Sequence, residues 1–359
     1  MAVESRKVQK VGASTLSVSL PKNWVERWEI RKGDVVLLEE AKDGTLRVLA
    51  SKGQQEPHHA DVEYIVNADL CDEPGMLGRI VVGNYVIGRN VIRIRSKGRI
   101  KSHHIQEVRA SANKLMGMGI LQETADEIEL QCSVDPARFP IESVMKRLYT
   151  IGSTIHKEAI ESLVRNDAEL AKDAAKREDE ADMMYWLTLR LLLSAQMDPV
   201  LAEKVGFTET LPILGNRLIS KNLETIADYG ESIAHNVLHL LDQRKRPEEP
   251  LVHRFKVVSD SAAKVVADGL AGVFTRDVKL VNRAIELANQ VEKDVDNLVQ
   301  DCYDKVEDPI ALADLRAIAW SLRRIAEFGS EIAIIGFNRY LERSSAICEP
   351  LSEKESGKR

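Results

Sequence analysis

The stretch Lys221-Asn222-Leu223-Glu224-Thr225-Ile226-Ala227-Asp228 places two carboxylates four residues apart in a strongly helical segment. At 3.6 residues per turn, Glu231, His235 and His239 continue the same stripe toward the C-terminus. An acidic stripe repels itself unless cations neutralise it, so the pattern predicts a metal site. A solvated acidic helix face is the alternative. The separate face that can be buried comprises Leu223, Ala227, Ala234, Val237, Leu238 and Leu241.

This helical pattern returns later in the chain. Trp320-Ser321-Leu322-Arg323-Arg324-Ile325-Ala326-Glu327 resembles the stretch above, and Phe328-Gly329 follows it as Tyr229-Gly230 follows Asp228. Two ordered matches predict three helices written twice, and the short connections predict antiparallel neighbours. The predicted helices cover about 140–165, 168–196, 211–243, 251–274, 278–306 and 310–343, within a segment that spans 136–345.

Acid pairs recur on these helices. Glu178/Asp182 lies on the second helix of the first bundle, which we expect to pack beside the helix of Glu224/Asp228, with His235 nearby. Oxygen ligands suit Mg, Ca, Mn or Fe, and imidazole also admits Zn. The predicted cofactor is therefore a divalent or trivalent metal ion, such as Fe, Zn, Mn or Mg.

The second bundle departs from this pattern at one position. Arg323 stands where Glu224 stands in the first bundle, and a guanidinium cannot bind a metal. It would partly neutralise the equivalent acids, which are Glu292, Asp296 and Glu327. We therefore expect either a weaker metal site or a network of ion pairs.

Composition indicates a globular protein of two or three domains. The chain has 359 residues, 44% hydrophobic and 30% charged, with a net charge of −6. No apolar run is long enough to cross a bilayer, and the N-terminus lacks an apolar signal core. Without a C-x-x-C pair, the four cysteines suggest free thiols. We expect a cytoplasmic protein without membrane insertion.

Residues 1–50 predict short strands around one turn of helix. Val35–Glu39 and Thr45–Leu49 should form a hairpin around Asp43-Gly44. About fifty residues of this kind bury little surface alone, so we expect a second copy to complete the domain.

The remaining segments have distinct compositions. Residues 51–60 are polar and turn-rich, which favours a linker, 61–135 predict a small α/β domain, and 346–359 form a polar tail. The α/β segment carries a basic cluster, which is either a second anion or nucleic-acid surface or the solvated side of a sheet. The cluster comprises Arg89, Arg93, Arg95, Lys97, Arg99, Lys101 and Arg109.

Residues 138–343 resemble PhoU, the phosphate-uptake regulator, whose hallmark is two three-helix bundles carrying E(D)-x-x-x-D motifs. The motif is matched by Glu178/Asp182, Glu224/Asp228 and Glu292/Asp296, and Arg323 is the departure. The resemblance implies multinuclear metal clusters and repression of phosphate uptake when phosphate is plentiful.

Residues 4–50 resemble an AbrB/SpoVT (MazE-like) DNA-binding domain. The matching elements are Arg6-Lys7-Val8, Gly12 to Thr15, Leu20-Pro21-Lys22-Asn23-Trp24 and Lys32-Gly33-Asp34. In that family two chains interlace into one swapped-hairpin β-barrel, which implies a homodimer. The resemblance places Arg6, Lys7 and Lys10 on the face presented to DNA, with Lys22 and Arg27 as helpers.

Together these features predict a multidomain, mainly α protein that acts as a transcriptional regulator of phosphate homeostasis. The alternative is a signalling adaptor that docks on a phosphate-transporter ATPase or a sensor kinase and uses the barrel only to dimerise. We expect no enzyme, because the sequence has no nucleophile elbow, Walker loop, G-x-G-x-x-G or H-E-x-x-H. A metal-dependent hydrolase is the third alternative, since a bound metal can activate water.

Overall fold

The computed structural model describes residues 5–12, 15–40, 44–50, 63–209 and 211–349. The chain divides into two compact units, Met1–Val62 and Glu63–Arg359. The predicted linker 51–60 and residues 350–359 of the predicted tail lie outside the described residues, as does Asp43 of the predicted hairpin turn.

The described residues of the first unit form two short antiparallel hairpins and one short helix. Strand β1 (Gln9–Val11) pairs with β2 (Thr15–Ser17), and β3 (Val36–Glu40) pairs with β4 (Leu46–Ala50). Helix α1 (Lys22–Arg27) follows Pro21, which suits the start of a helix because proline lacks an N–H. Most apolar side chains of the strands are exposed, because so few residues cannot enclose a core.

The second unit begins with a four-stranded sheet and two helices, here called the middle domain (63–135). The elements are β5 (Glu63–Asn67), α2 (Met76–Val86), β6 (Val91–Arg95), α3 (Ser102–Asn113), β7 (Met118–Glu123) and β8 (Glu127–Cys132). The strand order is β5-β6-β8-β7, with β5 parallel to β6 and the other pairs antiparallel. Alternation along β6 buries Ile92 and Ile94 and turns Arg93 outward.

Helices form the rest of the second unit. The first bundle contains α4 (Ile141–Arg165), α5 (Ala168–Lys176), α6 (Glu178–Met197) and α8 (Leu211–Asp242), with the short α7 (Pro199–Lys204) between α6 and α8. The second bundle contains α9 (Glu249–Thr275), α10 (Val278–Lys305) and α11 (Pro309–Leu341). Helix α8 packs against α11 and α4 against α9, so the two bundles share one apolar core.

This architecture confirms the predicted multidomain, mainly α fold with a pair of helical bundles. The predicted helix 168–196 is divided at Arg177 into α5 and α6, although the Arg177 backbone stays close to helical. The interlaced barrel involves a second chain and stays a prediction, as do the domain boundaries. Within the described residues, no helix is long and apolar enough to cross a membrane.

Candidate functional site

Helices α6 and α8 pack side by side in the first bundle, so their acid pairs come together. Glu178 interacts electrostatically with Asp182 on its own helix and with Glu231 on α8. Asp228 in turn interacts with Glu224, Asp182 and Glu231. We call these five carboxylates, from Glu178, Asp182, Glu224, Asp228 and Glu231, the acid cluster.

Burial and mutual repulsion raise the pKa of two carboxyl groups in the acid cluster. Partial burial, with the charges of Asp182 and Glu231, raises the pKa of Glu178 to about 7. A side-chain hydrogen bond with Asp182 also raises the pKa of Glu178. Partial burial and the neighbouring Glu224 charge raise the pKa of Asp228 to about 6. The cluster therefore holds more negative charge than its surroundings neutralise.

Two lysines supply part of the missing positive charge. Lys221, one turn before Glu224 on α8, forms an ion pair with the buried Glu224 carboxylate, which also accepts a hydrogen bond from Thr225 Oγ1 at 3.1 Å. Lys114 comes from the turn after α3, and its Nζ lies 3.4 Å from Asp182 Oδ2. One counterion is thus local and the other belongs to the middle domain.

The acid cluster fits a hard cation in its donor chemistry. Carboxylates on two helices, two of them with raised pKa, would be relieved of repulsion by Mg, Mn or Fe. Among the residues that the structure describes, however, no three or more histidine, cysteine, aspartate or glutamate side chains are placed together so that they could hold a metal ion.

The histidines of the predicted stripe have other partners. His235 Nε2 lies 3.3 Å from Glu231 Oε1, and its side chain is exposed. His239 Nδ1 lies 2.8 Å from Asp314 Oδ2 on α11. His235 thus adjoins the acid cluster through Glu231, whereas His239 joins the two bundles.

The acids of the second bundle surround Arg323. Its Nη1 donates to Asp296 Oδ1 at 3.1 Å, its Nε donates to Glu327 Oε1 at 3.2 Å, and its Nη2 pairs with Glu292. Arg324 also pairs with Glu327. Of the two arrangements expected for this set, the structure shows the network of ion pairs.

The predicted DNA-binding side chains all lie on the surface of the first unit. Arg6 precedes β1, Lys10 lies within it, and Lys22 and Arg27 are the first and last residues of α1; these four and Lys7 are exposed. Lys22 Nζ lies 3.7 Å from Glu26 Oε1 along the helix. The positions leave the basic groups accessible to a polyanion.

Three residues of the basic cluster of the middle domain, Arg93, Arg95 and Arg109, form ion pairs with acids. Arg93 contacts Glu63, Glu127 and Glu129, at 2.8, 3.0 and 2.8 Å, and Arg109 contacts Glu123 at 3.0 Å. The cluster was interpreted either as an anion-binding surface or as the solvated side of a sheet. For Arg93 the second interpretation holds, because strand pairing places acids from distant parts of the sequence opposite it.

Sequence reasoning missed both lysines of the acid cluster. Lys221 could have been identified from the sequence, since Lys221 lies three residues before Glu224 on the same helix face. Lys114 follows α3 in a turn without a recognisable motif, and 68 residues separate it from Asp182.

Two family models match the chain. The PhoU domain model matches residues 145–237. The model described as antidote-toxin recognition MazE, bacterial antitoxin, matches residues 9–56. These matches confirm the two resemblances drawn from the sequence: a segment of the first bundle is similar to the PhoU domain, and an N-terminal segment is similar to MazE.

Two solved structures are similar to part of this chain. PhoU from Pseudomonas aeruginosa is 15% identical, with 56% of this chain and 96% of that chain covered and a TM-score of 0.47. The phosphate transport system regulatory protein PhoU from Streptococcus pneumoniae is 14% identical, with 56% and 94% covered and a TM-score of 0.49. No curated protein matches this chain.

Proposed function

We propose that this protein is a DNA-binding regulator of phosphate uptake whose first helical bundle binds a metal ion. The observation that carries the proposal is the presence of a MazE-like domain and a PhoU domain in one chain. A PhoU domain implies the regulation of phosphate uptake, and a MazE-like domain suggests DNA binding. In this account the chain represses uptake genes when phosphate is plentiful.

Charge distribution supports the DNA-binding part. Within residues 5–32 there are seven basic side chains against two acidic ones, although the whole chain has a net charge of −6. A local positive excess on an acidic protein favours contact with a phosphate backbone and salt-dependent binding. The basic residues are Arg6, Lys7, Lys10, Lys22, Arg27, Arg31 and Lys32.

Exposed apolar side chains support pairing of the N-terminal unit with a second copy. Leu16 and Leu38, on β2 and β3, expose 68% and 62% of their surface. Exposed strand residues of this kind indicate an interface rather than a finished surface. The other exposed apolar residues are Val8, Val11, Val18, Val35, Leu37 and Leu46.

The DNA-binding part is tested by mobility shift with the promoter of a phosphate-uptake operon over a range of salt concentrations. Arg6→Ala with Lys7→Ala should weaken binding about tenfold and lower the salt slope by about 2, because two phosphate contacts are lost. Lys172→Ala with Lys176→Ala is the control, since it also removes two exposed charges. Unchanged affinity and slope in the Arg6/Lys7 variant would refute the assigned face.

The metal-binding part is tested by calorimetric titration of chelator-treated protein with Mn²⁺. Glu224→Ala with Asp228→Ala should abolish binding, because both carboxylates belong to the acid cluster. Glu292→Ala with Asp296→Ala should leave it unchanged, because Arg323 already neutralises those acids. Equal binding by the wild type and the Glu224/Asp228 variant would refute the site.

A second candidate function is that of an adaptor on a transporter ATPase or a sensor kinase. It is favoured by Leu211, Leu214 and Leu218, which expose 66%, 72% and 52% of their surface on one stripe of α8. Leu214→Ser with Leu218→Ser should then reduce recovery of the ATPase in a pull-down, whereas Val257→Ser on α9 should not. Recovery of the ATPase without promoter DNA would favour the adaptor over the DNA-binding regulator.

A further inference from the structure

One face of α6 packs against the middle domain. Asp182, Trp186, Arg190 and Ser194 follow one another at four-residue spacing, so they share that face. Trp186 packs against the apolar cores of both the bundle and the middle domain. At the C-terminal end of this face, a Cβ at Gly88 would lie only 2.8 Å from Ser194 Oγ, so the backbone of the middle domain lies close to α6 there. Because Asp182 belongs to the acid cluster, this face of α6 connects the middle domain to the acid cluster.

Arg190 anchors this contact. Its side chain is buried, and Nη1 donates to the main-chain oxygens of Tyr85 and Arg89 at 2.6 and 3.0 Å. Its Nη2 donates to Asn90 Oδ1. A buried guanidinium that satisfies the carbonyls between α2 and β6 holds the middle domain in one position on α6.

Lys114 is the charged end of the same contact. Its Nζ lies 3.4 Å from Asp182 Oδ2 and 3.7 Å from Asp179 Oδ1. The Asp182 side chain is only 18% exposed, while Lys114 is 49% exposed. The ammonium of Lys114 therefore reaches a largely buried carboxylate from the solvent side.

We propose that Lys114 is a tethered cation of the middle domain that competes with a metal ion for Asp182. A divalent ion bound by Asp182 would place two positive charges close to the ammonium, and at such distances like charges repel strongly. The metal can therefore use Asp182 fully only when Lys114 withdraws. This inference rests on the metal site proposed above.

The contact geometry allows such a withdrawal without separation of the domains. Arg190 lies eight residues from Asp182 on α6, about 12 Å along the helix axis. Lys114 can swing into solvent on its flexible side chain while the Arg190 anchor and the Trp186 contact persist. The middle domain would thus set the metal affinity of the first bundle, and metal binding would release its lysine.

The test compares Mn²⁺ affinities of chelator-treated full-length variants by calorimetry. Lys114→Met should bind Mn²⁺ about threefold to tenfold more tightly than the wild type, the gain expected from removing one partly exposed competing ion pair. Lys114→Arg keeps the charge and should bind no more tightly than the wild type. Lys172→Met is the matched control, since Lys172 is 51% exposed and forms a 2.8 Å ion pair with Glu169 on α5.

The outcomes separate this inference from the metal site itself. If the wild type binds Mn²⁺ and Lys114→Met binds it equally or more weakly, the competition is refuted and the metal site stands. If neither protein binds Mn²⁺, both proposals fall. If Lys114→Met binds and the wild type does not, the competition is supported in its strongest form.

A second measurement keeps the inference testable should Lys114→Met unfold. Acetylation of lysines by acetic anhydride, followed by mass spectrometry, reports how accessible each amine is in the wild type. Adding Mn²⁺ should increase the modification of Lys114 severalfold and leave Lys172 unchanged. Unchanged or reduced modification of Lys114 at saturating Mn²⁺ would overturn the proposal.

Discussion

The two bundles share their packing but neutralise their acidic stripes differently. Tyr229 and Phe328, equivalent in the two repeats, stack with ring centroids 6.0 Å apart at the contact of α8 and α11. In the second bundle, Arg323 is built into the stripe and contacts three carboxylates. In the first bundle, Glu224 occupies that position, and positive charge comes from Lys221 and from Lys114 of another domain.

This difference is the reason why we propose a metal site in the first bundle and none in the second. An arginine inside the stripe is a permanent counterion, because it remains charged and satisfies several carboxylates at once. Lysines at the edge are weaker partners that a divalent cation can replace. The same scaffold thus provides one self-neutralised stripe and one stripe with unsatisfied negative charge.

The largest predicted effect concerns what the bundles have in common. A Cβ at Gly230 would lie 3.1 Å from His156 N, and one at Gly329 would lie 3.0 Å from Val266 N, so both glycines allow close helix contact. Gly230→Ala and Gly329→Ala should each lower the free energy of unfolding by about 2–3 kcal/mol through overpacking. Urea denaturation measures the change.

Gly83 in α2 is the control for this prediction, because a Cβ there meets nothing within 4 Å. Gly83→Ala should raise the free energy of unfolding by about 0.5–1 kcal/mol, since alanine favours a helix. If Gly230→Ala and Gly329→Ala differed widely from each other, the two bundles would not be packed alike.

The next effect concerns Arg323. Arg323→Glu restores the residue type of the first bundle and should lower the free energy of unfolding by about 1–2 kcal/mol without metal, after allowance for the exposure of Glu292 and Asp296. Added Mn²⁺ should recover part of this loss. Arg323→Gln should also be destabilised but should gain nothing from Mn²⁺. Denaturation with and without the ion tests both variants, and an equal response would contradict the comparison.

The positions of the long helices followed from periodicity, whereas the short α7 (Pro199–Lys204) was not predicted. The partners of the side chains did not follow from periodicity either. Residue spacing predicted α8 and its acidic stripe. Arg323 left two alternatives, a weaker metal site or a network of ion pairs, and the structure shows ion pairs. His235 and His239 both belong to the predicted stripe. His239, however, contacts Asp314 of α11 in the second bundle rather than an acid of α6. A helical period determines which face a residue occupies and not which helix lies opposite.

Contacts between residues that are distant in sequence were beyond sequence reasoning. Arg190 was recognisable only as an interruption of an apolar run, and its role depends on the main-chain carbonyls that surround it. Arg93 seemed unpaired in sequence because its partner Glu127 is 34 residues away and becomes adjacent through strand pairing. Both depend on the tertiary register rather than on local pattern.

The smallest effect is a pH dependence of the metal-free protein. The pKa of Glu178 is raised from 4.5 to about 7, so the folded state binds more protons than the unfolded state between these values. The free energy of unfolding should therefore fall as pH rises from about 5 to about 8, by about 1 kcal/mol after discounting for solvent screening.

Glu178→Gln should flatten this fall, because the variant has no proton to lose. Glu169→Gln is the contrast, since a hydrogen bond from Lys172 lowers the pKa of Glu169. It should leave the fall in place. Urea denaturation at a series of pH values measures the slope, and an identical slope in Glu178→Gln and the wild type would remove the evidence for repulsion in the acid cluster.

The most direct test of the contrast between the bundles is the anomalous scattering of Mn²⁺ in crystals of the full-length protein. We predict a peak between α6 and α8, within ligand distance of carboxylates of the acid cluster, and no peak beside Arg323. A peak confined to the Arg323 network, or an α6–α8 groove that stays empty at saturating Mn²⁺, would contradict the account.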